Sequence, residues 1–244
     1  MIPYASEHGR QKASEVFKFI HETSIKTSKE LAKEKGNFPF ISKSIFKNEK
    51  YMRNSTHTVV APTGTISLFV DASSGCEPYF ALAFNKNVMD GESFAFINPY
   101  LEKTLSQKGL FDEQIKKDIA KTGSIQHLDK IPKDIKEVFK VSNEIDVKDH
   151  IAMQAELQKH CSLAISKTIN LNKDATKEEV SEAYMYAHKM GCKGVTVYRD
   201  GCRQNQVLTV GTDNKEDKKE KNIDLITRGE VPERPECLDC KIYN

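Results

Sequence analysis

The spacing of apolar and polar residues predicts that the chain begins with a long helix over residues 14–35. Apolar and small residues recur at helical spacing along one stripe, and charged residues occupy the other faces. Gly36 follows at the position where a glycine commonly ends a helix. We expect the stripe to be the buried face, and its members are Val16, Ile20, Ser24, Thr27 and Leu31.

The last third of the chain alternates between helical and strand patterns. Asp146 caps a helix over 146–160, and Thr176 and Glu179 form a capping box that opens another. Strands are predicted over 164–171 and 194–198. Helix, strand, helix, strand in this order predicts parallel pairing with crossover helices, and therefore an α/β sheet or barrel.

The strand over 164–171 has two different faces. One face is apolar, and the other carries only small polar groups, so we expect the polar face to look into a wet cavity. The apolar face consists of Ile165, Ile169 and Leu171, and the polar face of Ser166, Thr168 and Asn170.

The middle of the chain predicts shorter elements. Residues 37–51 are expected to form an irregular connection, the β-branched residues before Ala61 a strand, and residues 79–88 an extended apolar segment. Further helices are predicted over 98–108, 112–121 and 132–139. Leu101 and Leu105 can share the buried face of the first of these helices.

Residues 59–67 are the strongest candidate for binding chemistry. A short apolar run leads into a turn over 62–65, and a mostly apolar segment that starts a helix follows. Amides at a helix N-terminus favour an anion, and Gly64 is expected to adopt a conformation that a Cβ would obstruct. The alternative is a polar turn whose hydroxyls cap the helix. The candidate anion-binding residues are Pro62, Thr63, Gly64, Thr65, Ile66 and Ser67.

A second loop of small residues follows at 71–78. Two Gly/Ser/Thr loops that flank one short apolar segment are typical of a pocket rim rather than of ordinary surface turns. We therefore expect the two loops to border the same pocket.

Composition narrows the class of protein. The chain has 244 residues, with 37 Lys and Arg against 35 Asp and Glu, and its net charge of +2 argues against a dedicated nucleic-acid binder. No apolar run approaches the ~20 residues that cross a bilayer, and the N-terminal residues do not resemble a secretory signal. The six cysteines are then typical of cytosolic thiols. We expect a cytoplasmic protein with neither a membrane nor a nucleic-acid partner.

The character of the sequence changes after residue 211. Charges of mixed sign dominate residues 213–221, so residues 212–233 are expected to form a linker, and a new element begins within 234–244. Cys237 and Cys240 form a Cys-x-x-Cys pair there. One such pair cannot complete a tetrahedral zinc site, and we predict no metal site. Other chemically capable residues are expected to be structural: Tyr198, Cys192, Cys202, His57 and His160.

Five short motifs follow one another along the chain. They are Ala-Pro-Thr-Gly-Thr-Ile-Ser at 61–67, Ser-Ser-Gly-Cys-Glu-Pro at 73–78, Asp-His-Ile-Ala-Met-Gln-Ala at 149–155, Ser-Lys-Thr-Ile-Asn-Leu at 166–171 and Gly-Cys-Lys-Gly-Val-Thr-Val-Tyr-Arg-Asp-Gly at 191–201. Each is weak evidence alone. Together, in this order, they resemble the C-terminal part of the catalytic chain of ribonucleotide reductases, and most closely the adenosylcobalamin-dependent (class II) type. The resemblance covers roughly residues 2–211.

This resemblance implies a partial ten-stranded α/β barrel over residues 1–211, followed by the start of a small C-terminal domain at 234–244. It implies that residues 62–67 hold the phosphates of a ribonucleotide substrate. The small polar face of strand 164–171 would look into the barrel, because a barrel wider than eight strands has room for a ligand.

The family also implies a cofactor and a reductant. Adenosylcobalamin initiates a thiyl-radical reaction that reduces ribonucleotides to deoxyribonucleotides, and a thioredoxin-like protein supplies reducing equivalents. By this resemblance Cys237 and Cys240 are a possible redox pair, with metal binding or the start of a strand as the alternatives.

The chain departs from the family where catalysis is concerned. The Asn-x-Cys-x-Glu pattern that supplies the radical cysteine and a general base is not found, and Cys76 belongs to another motif. We therefore place no catalytic residue in this chain. We expect the N-terminal part of the reductase to be a separate chain, without which turnover is not expected. The alternative is a non-catalytic remnant, or a nucleotide-binding or interaction subunit.

Overall fold

The computed structural model describes residues 1–69, 72–87 and 93–201. None of the helices in these ranges is long and apolar enough to cross a membrane. The helices are α1 (Glu7–Lys35), α2 (Gly64–Phe69), α3 (Pro99–Gln107), α4 (Glu113–Thr122), α5 (Lys133–Val138), α6 (Val147–Gln158) and α7 (Lys177–Lys189), with short 3-10 turns at Ile41–Lys43 and Ser142–Glu144. The strands are β1 (Ala83–Asn87), β2 (Ser93–Ile97), β3 (Thr168–Leu171) and β4 (Thr196–Arg199).

Strands β3 and β4 are parallel, and α7 forms the crossover between them. The capping box of α7 forms as predicted, because the Thr176 hydroxyl accepts from the Glu179 amide and the Glu179 carboxylate accepts from the Thr176 amide. Val60 forms a parallel bridge with Ile165, so the strand predicted before Ala61 is reduced to one bridge. The predicted parallel α/β arrangement is therefore present in the last third of the chain.

Strands β1 and β2 pair in antiparallel register and adjoin a helical subdomain. The Asn98 side chain caps α3 by accepting from the amides of Tyr100 and Leu101, and the predicted face of Leu101 and Leu105 is fully buried. These leucines belong to one apolar cluster together with Leu82, Ala83, Ile115, Ile119, Ile125, Leu128, Ile131, Ile135, Phe139 and Val141.

Helix α6 lies at the centre of the second half of the fold. Asp146 caps it by accepting from the Lys148 amide, and the helix packs against α1, α7 and β3. Its buried residues point in several directions, because it contributes to two separate apolar clusters. One cluster comprises Val60, Met153, Leu157, Cys161 and Ile165, and the other Ile151, Ile169, Ala183 and Ala187.

The predicted buried stripe of α1 is wrong. Val16 is 49% exposed and Ile20 is 45% exposed, whereas Phe17 packs into the cluster around α6. The face towards α6 also carries polar partners: Arg10 forms an ion pair with Asp149 at 3.0 Å. The apolar periodicity of α1 therefore predicted a face next to the one that packs against α6. The reason is that small and polar residues make much of the contact with α6.

Candidate functional site

The first loop ends in the short helix α2, as the sequence predicts. The Ser67 amide donates to the Thr63 carbonyl at 3.0 Å, which closes the first helical turn. The first amides of a helix have no acceptor within it, so the amides of residues 64–66 are the ones available to a ligand. Gly64 is exposed and Ile66 is 62% exposed, so this end of α2 lies at the surface of the described chain.

Two hydroxyls of the first loop contact other groups of the chain itself. The Ser67 hydroxyl is buried and donates to the Gly64 carbonyl at 2.8 Å, so it stabilises α2 from inside. The Thr63 hydroxyl lies 3.2 Å from the Ser74 hydroxyl. Pro62 is exposed, and the side chain of Thr65 lies outside the described part of the structure. The backbone, rather than a ring of hydroxyls, presents the donors of this loop.

Gly64 does not have the strained backbone that the sequence suggested. Its φ lies outside the left-handed region, and a Cβ built on it would meet no atom within 4 Å. The conformational constraint falls on Gly75 instead, whose φ is 52° and whose Cβ would lie 3.1 Å from a methyl carbon of Val60. The structure therefore requires glycine in the second loop, not in the first.

The second loop is held on both sides. The Tyr4 hydroxyl donates to the Cys76 carbonyl at 2.8 Å, and the Glu77 amide donates to the Ser74 carbonyl at 2.9 Å. Since Ser74 also contacts Thr63, the two loops are directly joined. The contact shows that the two loops are neighbours, and the expectation that they border one pocket stays a prediction.

Glu77 connects the second loop to β3. One carboxylate oxygen accepts from the Thr168 amide at 2.6 Å, and the other lies 3.2 Å from Nζ of Lys167. The Lys167 side chain is fully buried. Its ammonium group has three hydrogens, and it also donates to the Thr168 carbonyl at 2.8 Å and to Nδ1 of His150 at 2.7 Å. Every donor of this buried cation therefore has an acceptor.

His150 is the neutral member of the cluster. Its Nε2 lies 2.8 Å from the Ser142 carbonyl, which can only accept, so Nε2 carries the hydrogen and Nδ1 accepts from Lys167. Burial and then the charge of Lys167 lower the pKa of His150 to about 4. Burial also lowers the pKa of Lys167, and the Glu77 carboxylate acts in the opposite direction.

The remaining titratable groups beside the loop are protonated at neutral pH. Burial is the largest cause that raises the pKa of the Cys76 thiol to about 11, and burial likewise raises the pKa of Tyr4 well above its ordinary value. A thiol with a raised pKa is a poor nucleophile. Cys76 therefore has the character of a packed side chain.

Glu77, Lys167 and His150 were not predicted as site residues, although each lies inside one of the five motifs. A signal was present, since Lys167 falls on the apolar face of strand 164–171 by its position in the alternation. A lysine on a buried face needs acceptors around it. The alternation itself is confirmed, with Ile165, Ile169 and Leu171 buried.

Other predicted residues lie apart from the two loops or outside the described structure. Tyr198 is half-buried on β4, and burial raises the pKa of the half-buried Cys192. No group of three or more His, Cys, Asp or Glu side chains among the described residues is arranged to hold a metal ion. Cys202, Cys237, Cys240, the predicted linker 212–233 and the segment 234–244 lie outside the described residues.

Comparison with known proteins gives the family of this fold and site. The model of the ribonucleotide reductase barrel domain matches residues 47–198, and the chain belongs to this family. A vitamin B12-dependent ribonucleoside-diphosphate reductase of Thermoplasma acidophilum is 41% identical over 229 residues, which are 93% of this chain and 30% of that protein. A protein of the same description from Mycobacterium tuberculosis is 36% identical over 208 residues, 85% of this chain and 30% of its own length.

A solved structure is similar as well. The class Id ribonucleotide reductase alpha subunit of Actinobacillus ureae has a TM-score of 0.68 and 29% identity, over 82% of this chain and 36% of that subunit. The chain thus spans about a third of that subunit and 30% of the curated relatives.

Proposed function

We propose that this chain supplies the substrate phosphate-binding loop of an adenosylcobalamin-dependent ribonucleotide reductase. The observation that carries the proposal is the exposed start of α2, where the amides of residues 64–66 have no acceptor in the helix. The relatives named as vitamin B12-dependent ribonucleoside-diphosphate reductases support the reaction class. The substrate is then a ribonucleotide, bound through its phosphates.

The surroundings of Gly64 suit an approaching phosphate. No atom of the chain lies within 4 Å of a Cβ built there, so a ligand oxygen can come close to the backbone. The first loop is also held by the second loop, because the Thr63 hydroxyl contacts the Ser74 hydroxyl. Residues 62–67 would bind mainly through main-chain donors.

We place this site in part of a ten-stranded α/β barrel. The parallel pair β3 and β4 and the bridge between Val60 and Ile165 supply neighbouring parallel segments, which supports this architecture. In the proposed barrel the face of Ser166, Thr168 and Asn170 would look towards the interior. Asn170 donates to the Ser142 hydroxyl, which fixes its orientation.

The donor chemistry of the described site fits a phosphate rather than a corrin ring. Its donors are the main-chain amides at the start of α2, which suit an anion. The cofactor would supply the radical when it is bound by the complete enzyme. This chain's own contribution is to bind and orient the substrate phosphates.

The radical cysteine would come from the N-terminal part of the reductase, and its position on a separate chain stays a prediction. A thioredoxin-like reductant, the redox role of Cys237 and Cys240 and a cytoplasmic location stay predictions. The second candidate function is a non-catalytic nucleotide-binding or interaction subunit.

Reconstitution tests the proposal. The 244-residue chain is mixed with a protein that carries the N-terminal part, including Asn-x-Cys-x-Glu, and deoxyribonucleotide formation is measured with and without adenosylcobalamin. We expect turnover that depends on adenosylcobalamin in the mixture, and no turnover from either protein by itself. Nucleotide binding without turnover would instead support the non-catalytic subunit, and absence of both would overturn the phosphate-binding proposal.

A further inference from the structure

Lys167 has an unusual position for a lysine near a proposed phosphate site. Its side chain is fully buried, and its three ammonium hydrogens are directed to Glu77, His150 and the Thr168 carbonyl. A lysine that binds phosphate directly needs a free donor at the surface. Lys167 has none, so any effect on the phosphate must pass through its neighbours.

We propose that Glu77, Lys167 and His150 are positioning residues, which lock the second loop to the barrel framework and thereby set the geometry of the phosphate-binding loop. This inference rests on the proposed function of residues 62–67. It assigns to the buried cluster a role in ligand affinity that acts at a distance from the ligand.

A continuous series of contacts joins the cluster to the first loop. Glu77 accepts from the Thr168 amide with one oxygen and pairs with Lys167 through the other, so its carboxylate is fixed in two directions. The Glu77 amide donates to the Ser74 carbonyl, and the Ser74 hydroxyl contacts that of Thr63. Thr63 immediately precedes α2. A shift of Glu77 would therefore move the start of α2.

His150 fixes the position of the Lys167 ammonium group through a directed hydrogen bond. Its Nε2–H donates to the Ser142 carbonyl, which leaves Nδ1 as an acceptor aimed at Lys167. Since His150 lies on α6 and Lys167 just before β3, the cluster ties a helix, a strand and a loop together. Such groups hold a binding site to within fractions of an ångström when each partner is locked by another.

Energetics favour a geometric role over a stabilising one. Burying an ion pair costs desolvation energy that its attraction roughly offsets, so apolar residues of similar size often give equal stability. Removing one partner alone is harmful, because it leaves an unpaired buried charge. A double variant that removes both charges therefore separates folding from positioning.

The test compares the full-length chain with the double variant Glu77→Gln/Lys167→Met. Titration with ADP and with inorganic pyrophosphate measures affinity, and hydrogen exchange measures protection of peptides covering residues 62–67 and 72–77. We expect near-normal unfolding stability, about tenfold weaker binding of both ligands, and faster exchange confined to these peptides. The Lys140→Met variant removes a surface ion pair with Glu137 and should match the wild type in affinity and exchange.

The outcomes separate two failures. If the wild-type chain binds ADP and the folded double variant has unchanged affinity and loop exchange, the positioning role is refuted while the proposed function stands. If the wild type binds neither ligand, the proposed function fails. Exchange that rises throughout the double variant would mean that the cluster only stabilises the fold, and this too would refute the inference.

Discussion

Gly64 and Gly75 lie in neighbouring loops but meet different surroundings. Gly75 has φ 52° and sits against Val60, so a side chain there is strained by its backbone and by its neighbour. Gly64 has neither constraint within the chain. At the scale of single residues, the fold requires glycine at position 75, whereas the open space around Gly64 leaves its backbone accessible to a ligand.

Alanine substitution at these glycines should have opposite effects. Gly64→Ala is expected to leave the free energy of unfolding unchanged or slightly raised, because alanine favours a helix, and to weaken ADP binding about tenfold. Gly75→Ala should lower stability by about 1–2 kcal/mol through backbone strain. Urea unfolding and ADP titration check both. Unchanged ADP affinity in Gly64→Ala would contradict the phosphate-binding role of that backbone.

The lowered pKa of His150 makes stability depend on pH. Between pH 6.5 and the folded-state pKa of about 4, the unfolded chain binds a proton at His150 and the folded chain does not. Stability is therefore complete above pH 6.5 and is lost as the pH falls towards 4. Lowering the pH from 7 to 5 should cost about 2 kcal/mol from this histidine.

Urea unfolding at both pH values measures that loss. The His150→Gln variant removes the titrating group and should show a smaller difference between pH 7 and pH 5. Other groups, such as His57, whose pKa burial also lowers, remain in both proteins and cancel in the comparison. An equal pH dependence in the variant would show that His150 is not the group responsible.

At the scale of elements, helix α1 shows where sequence pattern and packing diverge. Its ends follow local rules: the Ser6 hydroxyl accepts from the Gly9 amide, and Gly36 ends the helix with a bond to the Ala32 carbonyl. Its buried face follows from the shape and polarity of α6, where the Ser14 hydroxyl donates to Glu156 at 2.9 Å. The spacing of apolar residues alone cannot predict a buried face that includes polar contacts of this kind.

Two phenylalanines of α1 provide a matched pair. Phe17 packs into the cluster with Met153 and Leu157, whereas Phe19 is 70% exposed. Phe17→Ala should lower the free energy of unfolding by about 2–3 kcal/mol, and Phe19→Ala by less than about 0.5 kcal/mol. Chemical denaturation of the two variants checks this, and equal effects would place the buried face elsewhere.

At the scale of the whole molecule, the family assignment rests on residues 47–198 and the proposed site lies within them. The residues proposed to bind phosphate, 62–67, precede the charged stretch that follows residue 211 in the sequence.

Removal of residues 212–244 should leave ADP affinity unchanged. The reason is that the loops at 62–67 and 72–77 and the cluster behind them all lie before residue 201. Calorimetric titration of the shortened chain against the complete one measures this. A loss of affinity on shortening would show that residues after 211 take part in nucleotide binding.

The sequence by itself determined the presence of the α-helices and the helix–strand order of the last third, but it did not predict β2. The capping residues Asn98, Asp146 and Thr176, the parity of strand 164–171 and the helix–strand alternation all depend on neighbours a few positions away, and the structure agrees with each. The two loops and their motifs were likewise visible, because glycine and hydroxyl residues mark them locally.

Only the tertiary structure decided how the candidate site is held. Glu77 and Lys167 are 90 positions apart, and their contact depends on how α6, β3 and the second loop pack together. The same packing buried Phe17 rather than Val16 and placed the glycine constraint at Gly75 rather than at Gly64. Local periodicity reports which face of an element is apolar, but partners from distant segments decide which polar groups can be buried and what they hold in place.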